Sequence, residues 1–398
     1  MGILRSEKSR GEEVFSFEYS ESWLKSKYAQ EIDPDLKLLI GPQYITDEKP
    51  NFGLFLDSSP DRWGRMLMER REAILARKGE TPQKRLTESD FLLGVNDETR
   101  MGALRFKLEE EGDFLSNQGD IKAPPFTSIR ELEQASLRIE DDDFFKDEEA
   151  QKWMMMLMAP GSSLGGARPK ASVSDPDGHL WIAKFPAKND DKDIGAWEFL
   201  VNQMAHDLGL NVAVGDANIY SQKQHTFLTK RFDRTIHNER IHFASAMSLL
   251  GYKDGYNYKE GVSYLELVEL IEQYGSDPNE DIRELWRRIV FSVAISNTDD
   301  HLRNHGFLLS KNGWKLSPAY DINPVEKGTG LSLNISENDN SLDFDLCIEV
   351  IDYFRWKEKE ALDFINQTKK IVSEWKIRAN RMNISHKEQV MMETAFER

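Results

Sequence analysis

The spacing of hydrophobic and polar positions changes period several times along this chain. Val14-Phe15-Ser16-Phe17-Glu18-Tyr19 alternates, which predicts a strand with Phe15, Phe17 and Tyr19 on one face. A helical pattern follows near Pro60-Asp61. Ser59 is its expected cap and Pro60 suits its first turn, and Trp63, Leu67, Arg70, Arg71 and Ile74 run down to a stop at Gly79. Met101 to Phe106 predicts another strand. The charged, glycine-containing stretch from Glu109 to Pro125 reads as a boundary or an exposed hairpin. A helix is expected from Ser128 to about Leu137, ahead of the acidic run Glu140-Asp141-Asp142-Asp143, which reads as a solvated turn. Met154-Met155-Met156-Leu157-Met158 reads as helix core.

Beyond Gly161 the pattern becomes strand-rich. Lys170–Val173 and His179–Phe185 flank Asp175-Pro176-Asp177-Gly178, a strong hairpin turn. A helix is expected from Ile194 to Leu208 with its stop at Gly209, then strands near Ala213–Tyr220 and Thr226–Phe232. From Tyr264 the chain turns helical. Ile282, Leu285, Trp286, Ile289, Val290 and Val293 recur at helical spacing, and this buried helix should end at Asn297. A hairpin at Phe307–Leu316 interrupts the helices, which resume from Glu358 to about Met382.

Charge and composition narrow the function classes. The chain has 398 residues with 52 basic and 69 acidic side chains, a net charge of −17, which argues against broad binding to nucleic acid or anionic lipid. Cys347 is the single cysteine, so no internal disulfide forms. Met1–Arg10 lacks an apolar signal region, and no apolar run approaches the roughly 20 residues that span a bilayer. The expectation is a cytoplasmic protein.

The candidate chemistry lies in four places. The loop Gly161-Ser162-Ser163-Leu164-Gly165-Gly166-Ala167-Arg168-Pro169-Lys170 has glycines that let backbone N–H groups approach a polyphosphate, and basic residues to neutralise it. Read alone, it is also an ordinary flexible turn. Lys184 ends the next apolar strand, the place where kinases carry the lysine that holds nucleotide phosphates, and Glu198 on the following helix is its candidate partner. Asn297-Thr298-Asp299-Asp300-His301-Leu302-Arg303-Asn304 carries an aspartate with an asparagine five residues on, the spacing of a kinase catalytic loop. There the aspartate would orient an attacking hydroxyl and accept its proton, and the asparagine would reach a metal. Asp321, in Tyr320-Asp321-Ile322 beyond the hairpin, occupies the place of the second metal ligand, since Mg²⁺ takes oxygen donors. These elements follow one another in kinase order, whereas each alone has a structural explanation.

At these residues the sequence resembles the HipA-family kinases, toxins of type II toxin–antitoxin pairs. The resemblance covers Phe15-Ser16-Phe17-Glu18-Tyr19 leading to Trp23-Leu24, and Gly53 to Gly64. It continues at Ser163 to Lys170, Lys184-Phe185-Pro186, Lys230-Arg231-Phe232-Asp233-Arg234, Asn297 to Asn304 and Tyr320-Asp321-Ile322. It implies an ATP- and Mg²⁺-dependent serine/threonine kinase with Asp299 as base and Asn304 and Asp321 as metal ligands. Lys184 would bind phosphates beside the loop residues Ser163, Leu164, Gly165, Gly166, Ala167, Arg168 and Lys170. The Lys230–Phe232 backbone would meet adenine, and Tyr320 would flank the nucleotide. His301 matches a loop position for which a structural role is favoured over proton transfer. Ser163 matches the serine that the family autophosphorylates, which would put negative charge where nucleotide phosphates belong; Ser162 is its rival. The implied partners are a protein substrate, with aminoacyl-tRNA synthetases as the family's known targets, and a small helix-turn-helix antitoxin that supplies any contact with DNA. His305-Gly306 departs from the pattern, since an apolar aromatic is expected after the asparagine.

The expected architecture is an α+β, bilobal protein-kinase-like fold. A β-rich N-terminal subdomain would span residues 1–110, a kinase N-lobe 111–235 and a helical C-lobe 236–398. Two other functions compete: a catalytically silent kinase-shaped binding or co-repressor module, and a small-molecule phosphotransferase.

Overall fold

The computed structural model describes residues 1–45, 49–82, 84–115, 123–141, 144, 150–161 and 166–398. They form two compact units, one of residues 1–190 with 218–244 and the other of residues 191–217 with 245–398. The fold is α+β.

The first unit opens with the expected hairpin. Strand β1 (Gly2–Ser9) pairs antiparallel with β2 (Glu12–Tyr19), in register from Gly2↔Tyr19 to Ser9↔Glu12. Phe15, Phe17 and Tyr19 are buried on one face, as the alternation requires. Helix α1 (Arg62–Arg77) carries Trp63, Leu67 and Ile74 into the core and stops before Gly79, whose φ is +73°. Its cap is Asp61 and not Ser59. The Ser59 hydroxyl instead donates to the Phe55 carbonyl at 2.8 Å, closing the short Gly53–Leu56 turn that precedes the helix. Helix α2 (Glu88–Gly94) starts at a reciprocal cap between Thr87 and Asp90. Among the described residues of 1–110, strands are confined to this hairpin and a two-residue strand at Gln43–Tyr44.

Met101–Phe106 is not a strand. Its neighbourhood spends its backbone groups on side chains: the Gly102 N–H donates to the Asp233 carboxylate at 2.7 Å. The carbonyls of Arg100 and Gly102 accept from the guanidinium groups of Arg231 and Arg234. Gly102 also turns through φ +72°, which no regular strand adopts.

Helices α3 (Ile129–Ile139) and α4 (Ala150–Gly161) complete the helical layer of this unit. Met154 and Met158 enter the same apolar cluster as Trp63 and Leu67, while Met155 is exposed, so the methionine run is one face of core. The layer covers antiparallel strands β3 (Lys170–Ser174), β4 (Leu180–Lys184) and β5 (Thr226–Lys230), with Lys170↔Lys184, Trp181↔Lys230 and Lys184↔Phe227 in register. Asp175 builds the hairpin turn by accepting from the N–H groups of Asp177 and His179 and from the Trp181 indole.

In the second unit, helix α5 (Ile194–Asp207) is capped by Asp193 and ends before Gly209 (φ +78°). Helix α6 (Tyr264–Tyr274) begins at a Ser263/Glu266 capping box. Helix α7 (Pro278–Ala294) is the centre of the core, and its six apolar positions singled out by periodicity are all buried. Removing one of them should be costly. We expect Ile289→Ala to lower stability by about 2–5 kcal/mol in chemical denaturation, because deleted methylenes leave a cavity. The hairpin β6 (Gly306–Ser310) and β7 (Gly313–Leu316) follows, then helices α8 (Phe344–Glu349), α9 (Glu358–Ser373), α10 (Trp375–Arg381) and α11 (His386–Phe396). The single helix expected from Glu358 to Met382 is two, with its break at Glu374. The strand expected at Ala213–Tyr220 is shorter, Gly215–Asn218.

Candidate active site

The loop after α7 is shaped by a backbone reversal. Ser296 is fully buried with φ +53°, a conformation that costs energy for a side chain other than glycine. The turn is held from three sides. The Ser296 carbonyl accepts from the N–H groups of Thr298 and Val325, and its hydroxyl donates to the Ala395 carbonyl at 3.0 Å. Asn297 donates to Ser292 Oγ and accepts from the Asn323 N–H, which ties the loop to the segment after Asp321.

From that turn the loop projects Asp299 outward, exposed, while its carbonyl accepts from the His301 N–H at 3.0 Å and from Asn304 Nδ2 at 2.9 Å. Asn304 is buried and also donates its N–H to the His301 carbonyl. With its amide nitrogen engaged, the Asn304 oxygen is the end suited to a cation. The Tyr320 hydroxyl donates to the Arg303 carbonyl at 2.6 Å, which brings the Tyr320-Asp321 pair to the loop. Asp321 sits at φ +57° and accepts from Asn323 Nδ2 at 3.3 Å. His301 Nδ1 is buried with no hydrogen-bond partner among the described residues, and its ring sits at the start of the loop's 3₁₀ turn.

Behind the loop lies Asp300, buried, accepting from the Tyr264 hydroxyl at 2.6 Å with His305 Nε2 at 3.1 Å. Burial pushes this carboxyl up, but the His305 charge 3.1 Å away and the hydrogen bond from Tyr264 outweigh it and hold it below the usual carboxylate range. Burial and the neighbouring Asp300 raise the Tyr264 phenol well above its ordinary value. A cavity of about 20 Å³, the size of one water, is lined by Arg288, Ser292, Asn297, Asp300, Asn304 and His305.

The first unit gathers a second set. Lys184 ends β4, half-buried, with Nζ 5.7 Å from the Phe227 ring centroid. Its register partner Lys170 is buried, and the Lys170 carbonyl accepts from the Trp63 indole at 2.9 Å. Gly166 turns through φ +89°, a conformation that disfavours any side chain, and the position of its missing Cβ is 2.6 Å from the movable end of Lys170, Nζ. Ala167 follows it, exposed. Arg168 turns its planar fork onto Asp190 with contacts of 2.7 and 2.6 Å, so its charge is paired. Lys230 faces Trp181 across the strand pair, and the Phe232 ring packs 6.2 Å from that of Phe243. Ser162, Ser163, Leu164 and Gly165 lie outside the described residues. Glu198 is buried on α5.

Reading the sequence missed Asp300, Tyr264, Asn323 and the use of His305. The departure at His305 has a structural reason: its ring meets Tyr264 edge-on at 5.6 Å, so it fills an aromatic place while also carrying ring nitrogens. Nothing local signals the Tyr264 contact.

A lysine-bearing antiparallel sheet in one unit and an Asp-to-Asn loop on a buried helix in the other define the α+β kinase-like class of folds. Residues 162–375 match the HipA-like C-terminal domain, and the chain belongs to that family. A protein of Haemophilus influenzae provisionally named a kinase is 27% identical over 183 residues, 41% of this chain and 52% of the relative. The provisionally named kinase Y4mE of Sinorhizobium fredii is 27% identical over 184 residues, 40% of this chain and 41% of the relative. The match thus spans about half or less of the length of these relatives. Among solved structures, HipA of Shewanella oneidensis MR-1, in complex with HipB and its operator DNA, matches with TM-score 0.66 and 18% identity. That likeness covers 99% of this chain and 92% of the Shewanella chain, and it is one of fold.

Proposed function

We propose that this chain is an ATP- and magnesium-dependent protein kinase that transfers the γ-phosphoryl group to a serine or threonine hydroxyl. The observation that carries this reading is the Asn304 Nδ2 to Asp299 carbonyl bond, which holds an exposed carboxylate and a buried amide oxygen in one small loop. Asp299 is suited to orient and deprotonate a hydroxyl on the open side. Asn304 and Asp321 offer the hard oxygen donors that Mg²⁺ takes, so the donor set fits that ion. When bound, the ion would neutralise charge on the transferring phosphoryl group. Lys184 and Lys170 carry the positive charge for phosphate binding, with Gly166 permitting close backbone approach, and the Lys230–Phe232 backbone would meet adenine. His301 positions the loop through its N–H and carbonyl. We place the division of labour in an N-terminal subdomain to about residue 110, an N-lobe to 235 and a C-lobe from 236.

The likeness to HipA, seen there in a toxin–antitoxin system with HipB and operator DNA, supports an antitoxin partner and the toxin role; by family resemblance that partner is a small helix-turn-helix protein. With a net charge of −17, DNA contact would come through that partner. The protein substrate by family resemblance is an aminoacyl-tRNA synthetase, and Ser163 or Ser162 is the site of autophosphorylation. A cytoplasmic setting belongs to the same reading; among the described residues no helix is long and apolar enough to cross a membrane.

Intact-mass measurement after incubation with Mg-ATP tests the proposal. The expected result is a gain of one phosphate, mapped to Ser162 or Ser163, absent with excess EDTA and absent in Asp299→Ala. No nucleotide binding and no phosphate on any protein would leave the silent binding module as the reading. Phosphate appearing on an aminoglycoside or other small alcohol, and on no protein, would favour the small-molecule enzyme.

A further inference from the structure

We propose that His305 and Tyr264 are positioning residues for the catalytic loop and act through the buried carboxylate of Asp300. The inference rests on the kinase reading above and deepens it. Asp299 and Asp300 are adjacent carboxylates in opposite environments, one exposed and one buried. The inward one receives the Tyr264 hydroxyl on Oδ2 at 2.6 Å and faces His305 Nε2 across 3.1 Å at Oδ1. Asp300 and His305 therefore clasp the interval that contains Asn304, while Asn304 itself reaches back to the Asp299 carbonyl.

The two partners of Asp300, Tyr264 and His305, are anchored outside residues 299–304. Tyr264 is the first residue of α6, and its N–H donates to the Asn334 carbonyl at 2.9 Å. The His305 carbonyl accepts from the Ala246 N–H at 2.7 Å. The clasp thus refers the position of Asp299 and Asn304 to two fixed points of the core. A buried carboxylate that loses one partner must move or find another, because an unpaired buried charge is costly. Any such movement is transmitted to the neighbouring residues Asp299 and Asn304, where a displacement of about 1 Å can cost on the order of 10²-fold in rate.

The test compares His305→Phe, His305→Gln, Asp300→Ala and the double variant Asp300→Ala/His305→Phe in the full chain. His305→Phe keeps the aromatic packing on Tyr264 and removes the ring nitrogen that stands 3.1 Å from Asp300. We expect it to lower kcat about 10- to 100-fold with KM for ATP within about twofold. His305→Gln, which returns an N–H near the Nε2 place, should recover most of that loss. In the Asp300→Ala background, His305→Phe should cost nothing further, since His305 acts through the carboxylate. Unchanged kcat in His305→Phe, or full additivity in the double variant, would overturn the proposal.

Amide hydrogen exchange separates this proposal from the kinase reading. At residues 299–304, His305→Phe should exchange at least about tenfold faster than wild type, with no further gain in the Asp300→Ala background. If wild type transfers no phosphate but the exchange pattern holds, the kinase reading fails and the clasp stands. If exchange is unaltered, the clasp fails whatever the activity. A variant too unstable to purify is replaced by Tyr264→Phe, which deletes one hydroxyl and should show the same loss of protection.

Discussion

Asp299→Ala is expected to abolish phosphoryl transfer while leaving the fold intact. The carboxylate is exposed, and the loop's internal bonds run through the Asp299 carbonyl, which alanine retains. Surface substitutions of this kind change stability by about 0.5 kcal/mol or less. The chemical loss is far larger. A positioned general base contributes on the order of 10²–10⁴-fold, and an attacking hydroxyl without its orienting partner loses proximity as well. The measurement pairs phosphate incorporation with thermal unfolding: activity should fall by at least about 10²-fold while the midpoint stays within about 1–2 °C, given the usual ratio of midpoint shift to stability change. Equal activity in the variant would show that Asp299 is not the base. Asn304→Ala makes a useful contrast, since it removes both a proposed metal ligand and the bond that closes the loop.

The largest effect on stability is expected in the other unit, at Asp233. Its carboxylate is buried and bonded to Arg231 and Arg234, both also buried, and it accepts the Gly102 N–H. Arg231 reaches on to the carbonyls of Thr99 and Arg100, so the cluster carries the segment that sequence alternation assigned to a strand. Asp233→Ala would leave two buried guanidinium groups without their common counter-charge. Breaking a buried pair from one side costs about 3–5 kcal/mol, enough to unfold much of a marginally stable unit. Urea denaturation followed by tryptophan fluorescence should report it, and a loss below about 1 kcal/mol would refute the network's importance.

The same cluster sets an acid limit. Burial pushes the Asp233 carboxyl up, but the Arg231 charge, its hydrogen bond and the Arg234 charge together hold it below the ordinary value. A group whose folded pKa is depressed contributes stability above its unfolded pKa, and that contribution is lost as pH falls through the folded one. Stability should therefore decline below the usual carboxylate range near pH 3.9, and Asp233→Asn should flatten that part of the curve.

Much of the fold was legible because it is local. Phe15, Phe17 and Tyr19 alternate in a hairpin whose partners lie a few residues away, and the turn at Asp175–Gly178 is built by Asp175 itself. The six buried positions of α7 repeat at helical spacing, and that periodicity survives any arrangement of the rest. The spacing of Asp299 and Asn304 was readable for the same reason: one amide spans five residues to a carbonyl. Capping was harder. Ser59 had cap chemistry, but the preceding turn takes its hydroxyl, and the helix begins after Asp61, whose side chain makes no cap hydrogen bond.

The sequence by itself determined most of the order of elements, the α+β class and the candidate set Lys184, Asp299, Asn304 and Asp321, because local spacing and residue chemistry carry them, while Met101–Phe106 and the break at Glu374 escaped it. Tertiary structure alone decided how the long-range polar groups are satisfied. Asp233 takes a backbone N–H from 131 residues away, which turns Met101–Phe106 from a strand into a strap across a buried charge cluster. Asp300 takes a hydroxyl from 36 residues away, which sets it apart from its exposed neighbour Asp299 and gives two identical side chains opposite environments. The physical reason is common to both. A buried carboxylate must be bonded wherever the chain can supply a donor, and no periodicity in the sequence encodes which donor folding will bring.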